Sequence, residues 1–474
     1  GNTLLSPWPL YDRNRLALCL LTPLCLLLLL LLGRAAKAKV FETHERAVLL
    51  GFAAFYFVIQ LVMASALRFT PVTDLEQCVT AARRLAQTGA FGDSERSLIY
   101  FGRYPHNMGL VYLLAGIFKA ADALGADELM AAALVCGLLF SMGLLCAARL
   151  CRRLGGTQAQ TRALLLFATC LPFLYCTSEL YTDAFSVAFA PMIVFAFLKA
   201  RDAGSRKERA LWALLFAVCT FFGAQIRFPT IIAAIACLIA AFFEKRAKLT
   251  ALLAAPLALV FAVGGSAVNA ANKANLGAAN IAQNKLPKLH YIAMGLPVQS
   301  DEGYGQYGYG GWLIFSTSFD DPQARDEALR QEVVDRAYTL ARHPAQLLST
   351  LSRKNLSTFG RGTFNLNEIF EADAHEADNA VKQMVFENGR FNRAYAHLAT
   401  AMFVAQMALA CIACIQAIRR RDTRAAPLFL TLLGAFLFLS IWETRARYFF
   451  QFMMILLCAG AMFETPSTHA AQKA

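Results

Sequence analysis

Long apolar runs, separated by short segments rich in Lys and Arg, recur along most of the chain. A helix of about 20 apolar residues spans the hydrocarbon core of a bilayer and satisfies its own backbone hydrogen bonds there. The pattern therefore predicts an all-α membrane protein that crosses the bilayer many times. About eleven spans are expected, at residues 16–32, 47–67, 129–150, 161–178, 184–199, 210–226, 228–243, 250–268, 397–418, 426–442 and 448–463.

Two stretches between these runs, residues 68–127 and 270–395, are too polar to be membrane spans. The second is longer than an ordinary connector, which favours a functional loop. Within that loop, Asp320 or Asp321 just before Pro322 predicts the start of a helix. The expected organisation is an N-terminal segment with an extra apolar helix (1–46), a membrane core (47–269) that includes a first outer loop (68–127), a long outer loop with short helices (270–395), and C-terminal membrane helices with a tail (396–474).

Composition and charge support a membrane location. The chain is 57% hydrophobic and only 16% charged, whereas soluble domains carry about 25% charged residues. These values exclude an ordinary cytosolic enzyme, a disordered chain and a secreted disulfide scaffold. Residues 270–395 hold 13 basic and 14 acidic residues, so the net charge of +13 comes from the short loops. Basic short loops mark the cytoplasmic side of a membrane, and no nucleic-acid partner is predicted.

Placing the basic loops in the cytoplasm leaves residues 68–127 and 270–395 outside the cell or plasma (inner) membrane. This topology requires the apolar piece 109–124, which contains Lys119 and Asp122, to lie along the outer interface. It leaves the orientation of residues 1–33 open.

Asp74, just beyond an outward-going span, is the candidate catalytic residue. A carboxylate at the end of a membrane helix can accept a proton from an attacking hydroxyl. The alternative is that Asp74 only caps the helix that follows, since Asp is a favoured cap. Glu76 is a second acid two residues further on.

Two other polar clusters are expected at the same outer face. Tyr104, His106 and Asn107 surround a Pro and offer uncharged hydrogen-bonding groups to a ligand. Glu179 and Asp183 are four residues apart and would share one helix face, and acids at the end of a membrane span are costly unless they are used. Substrate positioning is favoured over a metal site, because no His accompanies this pair.

Outward-facing cations form the fourth cluster and oppose the usual charge asymmetry of membrane proteins. Arg227, Lys354, Arg445 and Arg447 belong to it. These side chains bind either anionic lipid headgroups in general or one specific lipid phosphate, for which Arg is a bidentate donor. Because cations occur on the outer side at several separate sites, against the usual cytoplasmic placement of Lys and Arg, a specific lipid phosphate is favoured.

The long loop also carries a Gly- and Tyr-rich stretch at residues 301–312. We expect it to form a mobile wall over an acceptor. The candidates for stacking on a sugar ring are Tyr304, Tyr307, Tyr309 and Trp312. Interfacial anchoring of these aromatics is an equal alternative.

The order of these motifs resembles that of GT-C-fold, polyprenyl-phosphate-sugar-dependent glycosyltransferases of the family-39-like kind. The chain is similar to the protein O-mannosyltransferases and the lipid A aminoarabinose transferase. It departs from many relatives in having Leu75, and not a second acid, directly after Asp74. The markers in this sequence are Asp74, Arg103-Tyr104-Pro105-His106-Asn107, Glu179-Leu180-Tyr181-Thr182-Asp183, Arg227, Ala293-Met294-Gly295-Leu296, Phe359-Gly360-Arg361-Gly362-Thr363-Phe364 and Glu443-Thr444-Arg445-Ala446-Arg447-Tyr448.

The resemblance implies a GT-C-like fold and transfer of a monosaccharide, with inversion, from a polyprenyl-phosphate donor to an extracytoplasmic hydroxyl of a glycan, lipid or protein. Asp74 would be the general base, with no cofactor and no metal. A polymerase or ligase for lipid-linked oligosaccharides, or a flippase, stays open as the alternative. The phosphate-binding residues expected are Arg445, Arg447, Tyr448, Arg227, Lys354 and Arg103. The substrate-positioning residues expected are Glu179, Asp183, Tyr104, His106, Asn107, Tyr309, Trp312 and Arg361.

Overall fold

The computed structural model describes residues 9–35, 43–67, 70–92, 94–299, 302–369 and 378–464. The structure is 81% helical, and these ranges contain no strand. The predicted all-α class is therefore confirmed. Residues 1–8 of the predicted N-terminal segment lie outside the described ranges.

Seven helices in the described ranges are long and apolar enough to cross a membrane. Two shorter apolar helices accompany them, so the predicted count of about eleven is not reproduced. The seven candidate spans are Ala17–Arg34, Glu45–Leu67, Glu128–Ala168, Thr182–Asp202, Arg206–Ile226, Ala247–Leu276 and Asn392–Arg420, and the shorter helices are Phe228–Phe243 and Ala426–Ile441.

The predicted spans 129–150 and 161–178 are two arms of one helical stretch, Glu128–Ala168. The stretch breaks at Gly155 and Gly156, where Gly156 has a φ of 71°. Glycine adopts this left-handed conformation without the steric cost of a Cβ, so the chain reverses there. The second arm ends earlier than predicted, and two short 3₁₀ turns, Leu171–Leu174 and Cys176–Ser178, replace its last part.

The predicted span 448–463 is also not a single helix. It divides into Arg447–Phe450 and Met453–Ala461, and every residue of Met453–Ala461 is buried. This helix packs against Asn392–Arg420 and the long Glu128–Ala168 stretch. An apolar sequence that reads as lipid-facing is therefore enclosed by other helices.

The polar segments fold into short helices that sit beside the membrane helices. In the long loop, Asp321 accepts hydrogen bonds from the backbone N–H groups of Gln323 and Ala324, which confirms the predicted cap. This loop has a small core of its own, in which Trp312 packs with Met294 and Leu329. The helices of these segments are Thr73–Thr88, Glu95–Arg103, Met108–Ala123, Ala278–Asn284, Lys288–Gly295, Trp312–Thr317, Pro322–Arg342, Pro344–Phe359 and Ala380–Val385.

The Met108–Ala123 helix contains two glycines in different surroundings, which gives a matched test of its packing. A Cβ at Gly109 would lie 2.2 Å from the Gln225 carbonyl oxygen, whereas a Cβ at Gly116 would meet nothing within 4 Å. We expect Gly109→Ala to destabilise the fold by about 1–3 kcal/mol, as overpacking does. Gly116→Ala should be neutral or stabilising by up to about 1 kcal/mol. Thermal unfolding of both variants in detergent checks this, and equal melting temperatures would contradict it.

Candidate functional site

Asp74 lies in the first turn of the Thr73–Thr88 helix, but the helix cap is Val72 and the Asp74 side chain makes no cap hydrogen bond. The capping interpretation of Asp74 is therefore wrong. Thr73, just before it, has a φ of 52°, which is a strained conformation for a β-branched residue. The Asp74 side chain is 40% exposed, so one edge of the carboxylate is accessible. Glu76 is exposed on another face of the helix.

Two tyrosine hydroxyls orient the Asp74 carboxylate. Tyr100 donates to Oδ1 at 2.8 Å, and Tyr181 lies 3.5 Å from Oδ2. The Asn107 amide in turn donates to the Tyr100 hydroxyl at 3.0 Å. These hydrogen bonds give each oxygen of the Asp74 carboxylate a tyrosine partner and fix the orientation of the carboxylate. Burial is the main cause that raises the pKa of Tyr100, so its hydroxyl stays protonated and can donate.

Asp183 is a second carboxylate in the same cluster, and it is fully buried. The predicted helix face shared with Glu179 does not exist. Glu179 ends a 3₁₀ turn, Leu180 has a φ of 48°, and a new helix begins at Thr182. The break lets the chain turn, so that Asp183 faces the cations.

Arg447 and Arg227 lie against these carboxylates. Arg447 Nη2 is 3.8 Å from Asp74 Oδ2, and its Nε is 3.8 Å from Asp183 Oδ2. Arg227 Nη2 is 3.1 Å from Asp183 Oδ1 and its Nη1 donates to the Thr182 hydroxyl at 2.6 Å. The two guanidinium groups and the two carboxylates balance in charge. Asp183 thus holds both Arg side chains beside the more accessible Asp74.

Aromatic rings form the walls around the guanidinium groups. The Arg227 guanidinium carbon is 4.6 Å from the centre of the Tyr448 ring, and that of Arg447 is 5.4 Å from the Tyr181 ring. The Tyr448 hydroxyl donates to Glu443 at 2.8 Å. Burial raises the pKa of Glu443, and the nearby Arg445 opposes that rise. Stacking on these rings orients the two guanidinium groups in the absence of a ligand.

The Gly- and Tyr-rich stretch contacts residues of this site. The Tyr307 and Tyr104 hydroxyls are 2.9 Å apart, and the Thr444 backbone N–H donates to the Gly305 carbonyl at 2.8 Å. Gly305 has a φ of 84°, and a Cβ there would lie 2.9 Å from the Met294 carbonyl oxygen. Only glycine fits this position without displacement. Arg445 lies 3.4 Å from the Tyr307 carbonyl oxygen, so the loop is attached directly to the cationic segment.

His106 lies beside the same cluster, and its side chain is exposed to solvent. Desolvation by the neighbouring protein is the main cause that lowers the pKa of His106, and the Arg227 charge acts in the same direction. The ring is therefore neutral at pH 7 and can donate or accept a hydrogen bond. Arg103, half-buried, is at the end of the preceding helix.

Two predicted site residues, Lys354 and Trp312, are buried in contacts with other parts of the protein. The Lys354 amino group is buried and donates to the backbone carbonyls of Gly295 and Trp442. It joins the two segments that carry Gly295 and Trp442, and its expected role in phosphate binding stays a prediction. Trp312 is buried in the core of the long loop, with the Arg336 guanidinium 4.4 Å from its ring centre. Because that face is occupied, Trp312 is not placed to stack on a sugar.

Burial lowers the pKa of Lys354 to about 7 from an ordinary value of 10.5. Between pH 7 and pH 10.5, Lys354 therefore binds more protons in the unfolded chain than in the native one. Native stability rises with pH over this range and falls as the pH is lowered towards 7. We expect the free energy of unfolding of the wild type, relative to Lys354→Met, to rise from pH 7 to pH 10. The exposed Lys248→Met is the control and should show no such trend. A pH-independent difference for Lys354→Met would contradict the assignment.

Three other predicted positions have their own local contacts or burial. Glu179 is fully buried. Arg361 donates to Asn365 at 3.0 Å. Tyr309 packs at Gly303, where an added Cβ would lie 2.4 Å from its ring.

Sequence reasoning missed Tyr100, assigned no role to Tyr181, and proposed Tyr307 only for stacking on a sugar ring. A pattern for Tyr100 exists, because Tyr100, Tyr104 and Asn107 recur at spacings of four and three residues, which place side chains on one helix face. For Tyr307 no local pattern distinguishes it from the neighbouring tyrosines.

Comparison with known proteins bears on the membrane location. No curated protein matches the chain. A family model described as a conserved hypothetical integral membrane protein matches residues 344–468, which include the cationic segment at residues 443–448. Together with the apolar helices, this match shows that the chain is an integral membrane protein.

Proposed function

We propose that the chain is a GT-C-like membrane glycosyltransferase that moves one monosaccharide from a polyprenyl monophosphate to an acceptor hydroxyl. The observation that carries the proposal is the placement of Asp74. Its carboxylate is partly accessible, is oriented by Tyr100 and lies 3.8 Å from Arg447. A base next to a fixed cation suits a reaction that takes a proton from one oxygen while another oxygen gains negative charge.

In the proposed step, the acceptor oxygen attacks the anomeric carbon of the donor sugar. The acceptor proton passes to the partly exposed Asp74 carboxylate. The bond between the anomeric carbon and the phosphate oxygen breaks, and its electron pair leaves with the polyprenyl phosphate. Attack opposite the leaving group inverts the anomeric centre.

Arg447 and Arg227 support the leaving phosphate in this proposal. Both are largely buried, at 11% and 12% side-chain exposure, and both are oriented by Asp183. A prearranged guanidinium stabilises developing charge more strongly than a mobile surface cation does. Arg445, which reaches the Tyr307 carbonyl, links this subsite to the loop that would cover the acceptor.

The first experiment asks which lipid accompanies the gently purified protein, by native mass spectrometry, and whether purified polyprenyl-phosphate-sugar supports transfer to a hydroxyl acceptor. A co-purified polyprenyl monophosphate that carries one sugar is the expected result. A pyrophosphate-linked oligosaccharide would favour a polymerase, ligase or flippase and would remove the proposed role of Asp74.

Tyr100→Phe tests whether the hydroxyl positions Asp74. Losing one hydrogen bond of about 1 kcal/mol should lower kcat about 5- to 10-fold, with the donor KM unchanged. Tyr112→Phe is the matched control, because its hydroxyl binds Asn272 at 2.9 Å outside the cluster. A loss in Tyr112→Phe of the same size, or a change in KM alone, would assign Tyr100 to the fold.

A further inference from the structure

A cavity of about 410 Å³ lies away from the Asp74 cluster. The two arms of the Glu128–Ala168 stretch meet there at Gly155 and Gly156. The first arm starts at Glu128, which pairs with Arg83 of the helix that carries Asp74, and about 27 helical residues extend about 40 Å. The cavity therefore lies at the opposite end of the helical bundle, among the loops rich in Lys and Arg.

Arg162 is the unusual side chain of this cavity. It is only 3% exposed and lines the cavity wall. One guanidinium nitrogen donates to the Phe463 carbonyl, and Nε and Nη2 make no hydrogen bond within the described part of the chain. A buried cation with unsatisfied donors is costly unless an anion binds it.

The other charges around the cavity are already paired. Arg152 pairs with Glu45 and Arg420 pairs with Glu464. Arg424 and Asp422 are 2.7 Å apart, and Arg153 lies 3.8 Å from Asp202. No carboxylate in the described ranges lies within 4 Å of Arg162. Its guanidinium carbon is 4.6 Å from the centre of the Phe463 ring, and Glu464 acts on it only at longer range, so two of its nitrogens remain available to an anion.

The backbone adds a second donor set. After the reversal at Gly156, the second arm of the stretch begins in the cavity wall, where Gln158 and Ala159 also line it. The first N–H groups of a helix have no partner inside the helix, and together with the helix dipole they favour phosphate groups. A Cβ at Gly156 would meet nothing within 4 Å, so this end is open.

We propose that this cavity binds a phosphate-bearing anion, either a phospholipid headgroup or free phosphate, with Arg162 as the central ligand. The site is separate from the Asp74 cluster and does not depend on the proposed transferase reaction. Its occupant neutralises Arg162 and fixes the reversal of the chain at Gly155 and Gly156.

Thermal unfolding of the full chain in detergent, freed of phosphate, tests the proposal. A ligand that binds only the native state raises the melting temperature with concentration. The probes are inorganic phosphate and short-chain phosphatidylglycerol, with phosphatidylcholine and chloride at equal ionic strength as controls. A shift with phosphate identifies free phosphate as sufficient, and a shift with phosphatidylglycerol alone identifies the headgroup.

Two variants remove the site in different ways. Arg162→Gln deletes the central ligand, and Ala417→Glu places a carboxylate in the cavity wall while retaining Arg162. In each variant, the probe concentration at half-saturation should rise at least about tenfold, which corresponds to a loss of roughly 1.4 kcal/mol of binding free energy. The exposed Arg419→Ala on the same helix as Ala417 is the control and should bind as the wild type does. No shift with either probe, or full binding by a folded Ala417→Glu protein, overturns the proposal.

Discussion

Asp74→Asn is expected to yield folded protein that still binds the lipid donor and has almost no transfer activity. The amide has the shape of the carboxylate and can still accept from Tyr100, which donates at 2.8 Å in the wild type. It cannot take up a proton from the acceptor at neutral pH. A general base contributes about 10²–10⁴-fold to a rate, and kcat should fall by that factor in a single-turnover transfer assay.

Glu76→Gln is the matched control for this change. Glu76 is an acid in the same first turn, but it is exposed and points away from the cluster. Its variant should keep wild-type turnover. Wild-type turnover in Asp74→Asn would exclude Asp74 as the base and would favour a non-catalytic or transport role for the chain.

Arg447→Ala is expected to weaken donor binding and to slow transfer by about 10²–10³-fold, by analogy with the loss of an oxyanion donor. Arg447 lies between Asp74 and Asp183, at 3.8 Å from each. Removing it takes away the cation nearest to the proposed base. Asp183 keeps Arg227 at 3.1 Å, so its buried charge retains a partner and the variant should fold.

Donor affinity, measured by native mass spectrometry or by competition, checks this prediction. Arg330→Ala is the control, because Arg330 is 68% exposed and pairs with the equally exposed Glu327 on a helix surface. Unchanged donor affinity in Arg447→Ala would favour general attraction to anionic lipid over a specific phosphate subsite.

Several features of this fold could be predicted from the sequence because they depend on local patterns. The helix predicted at residues 47–67 is observed at Glu45–Leu67, and the one predicted at 210–226 is observed at Arg206–Ile226. Apolar runs fix such helices, since backbone hydrogen bonds form within the run itself. The Asp321 cap also depends only on neighbouring residues.

The count and environment of the membrane helices could not be predicted in this way. Lipid tails and protein interiors are both apolar, so the same residue types suit both. Met453–Ala461 therefore reads like a lipid-facing span although every residue of it is buried. The break at Gly155 and Gly156 could likewise not be predicted from these two residues alone, because the chain reverses there only when the two arms pack on each other.

By itself, the sequence determined that this chain is an all-helical membrane protein with two large polar segments, and it selected a set of acids and cations. Only the tertiary structure decided which of them meet. Arg447 lies beside Asp74, whereas Lys354 is buried on two backbone carbonyls. Both are long cationic side chains near the same segments. Their surroundings differ because packing between distant segments, and not residue type, sets where a flexible side chain ends.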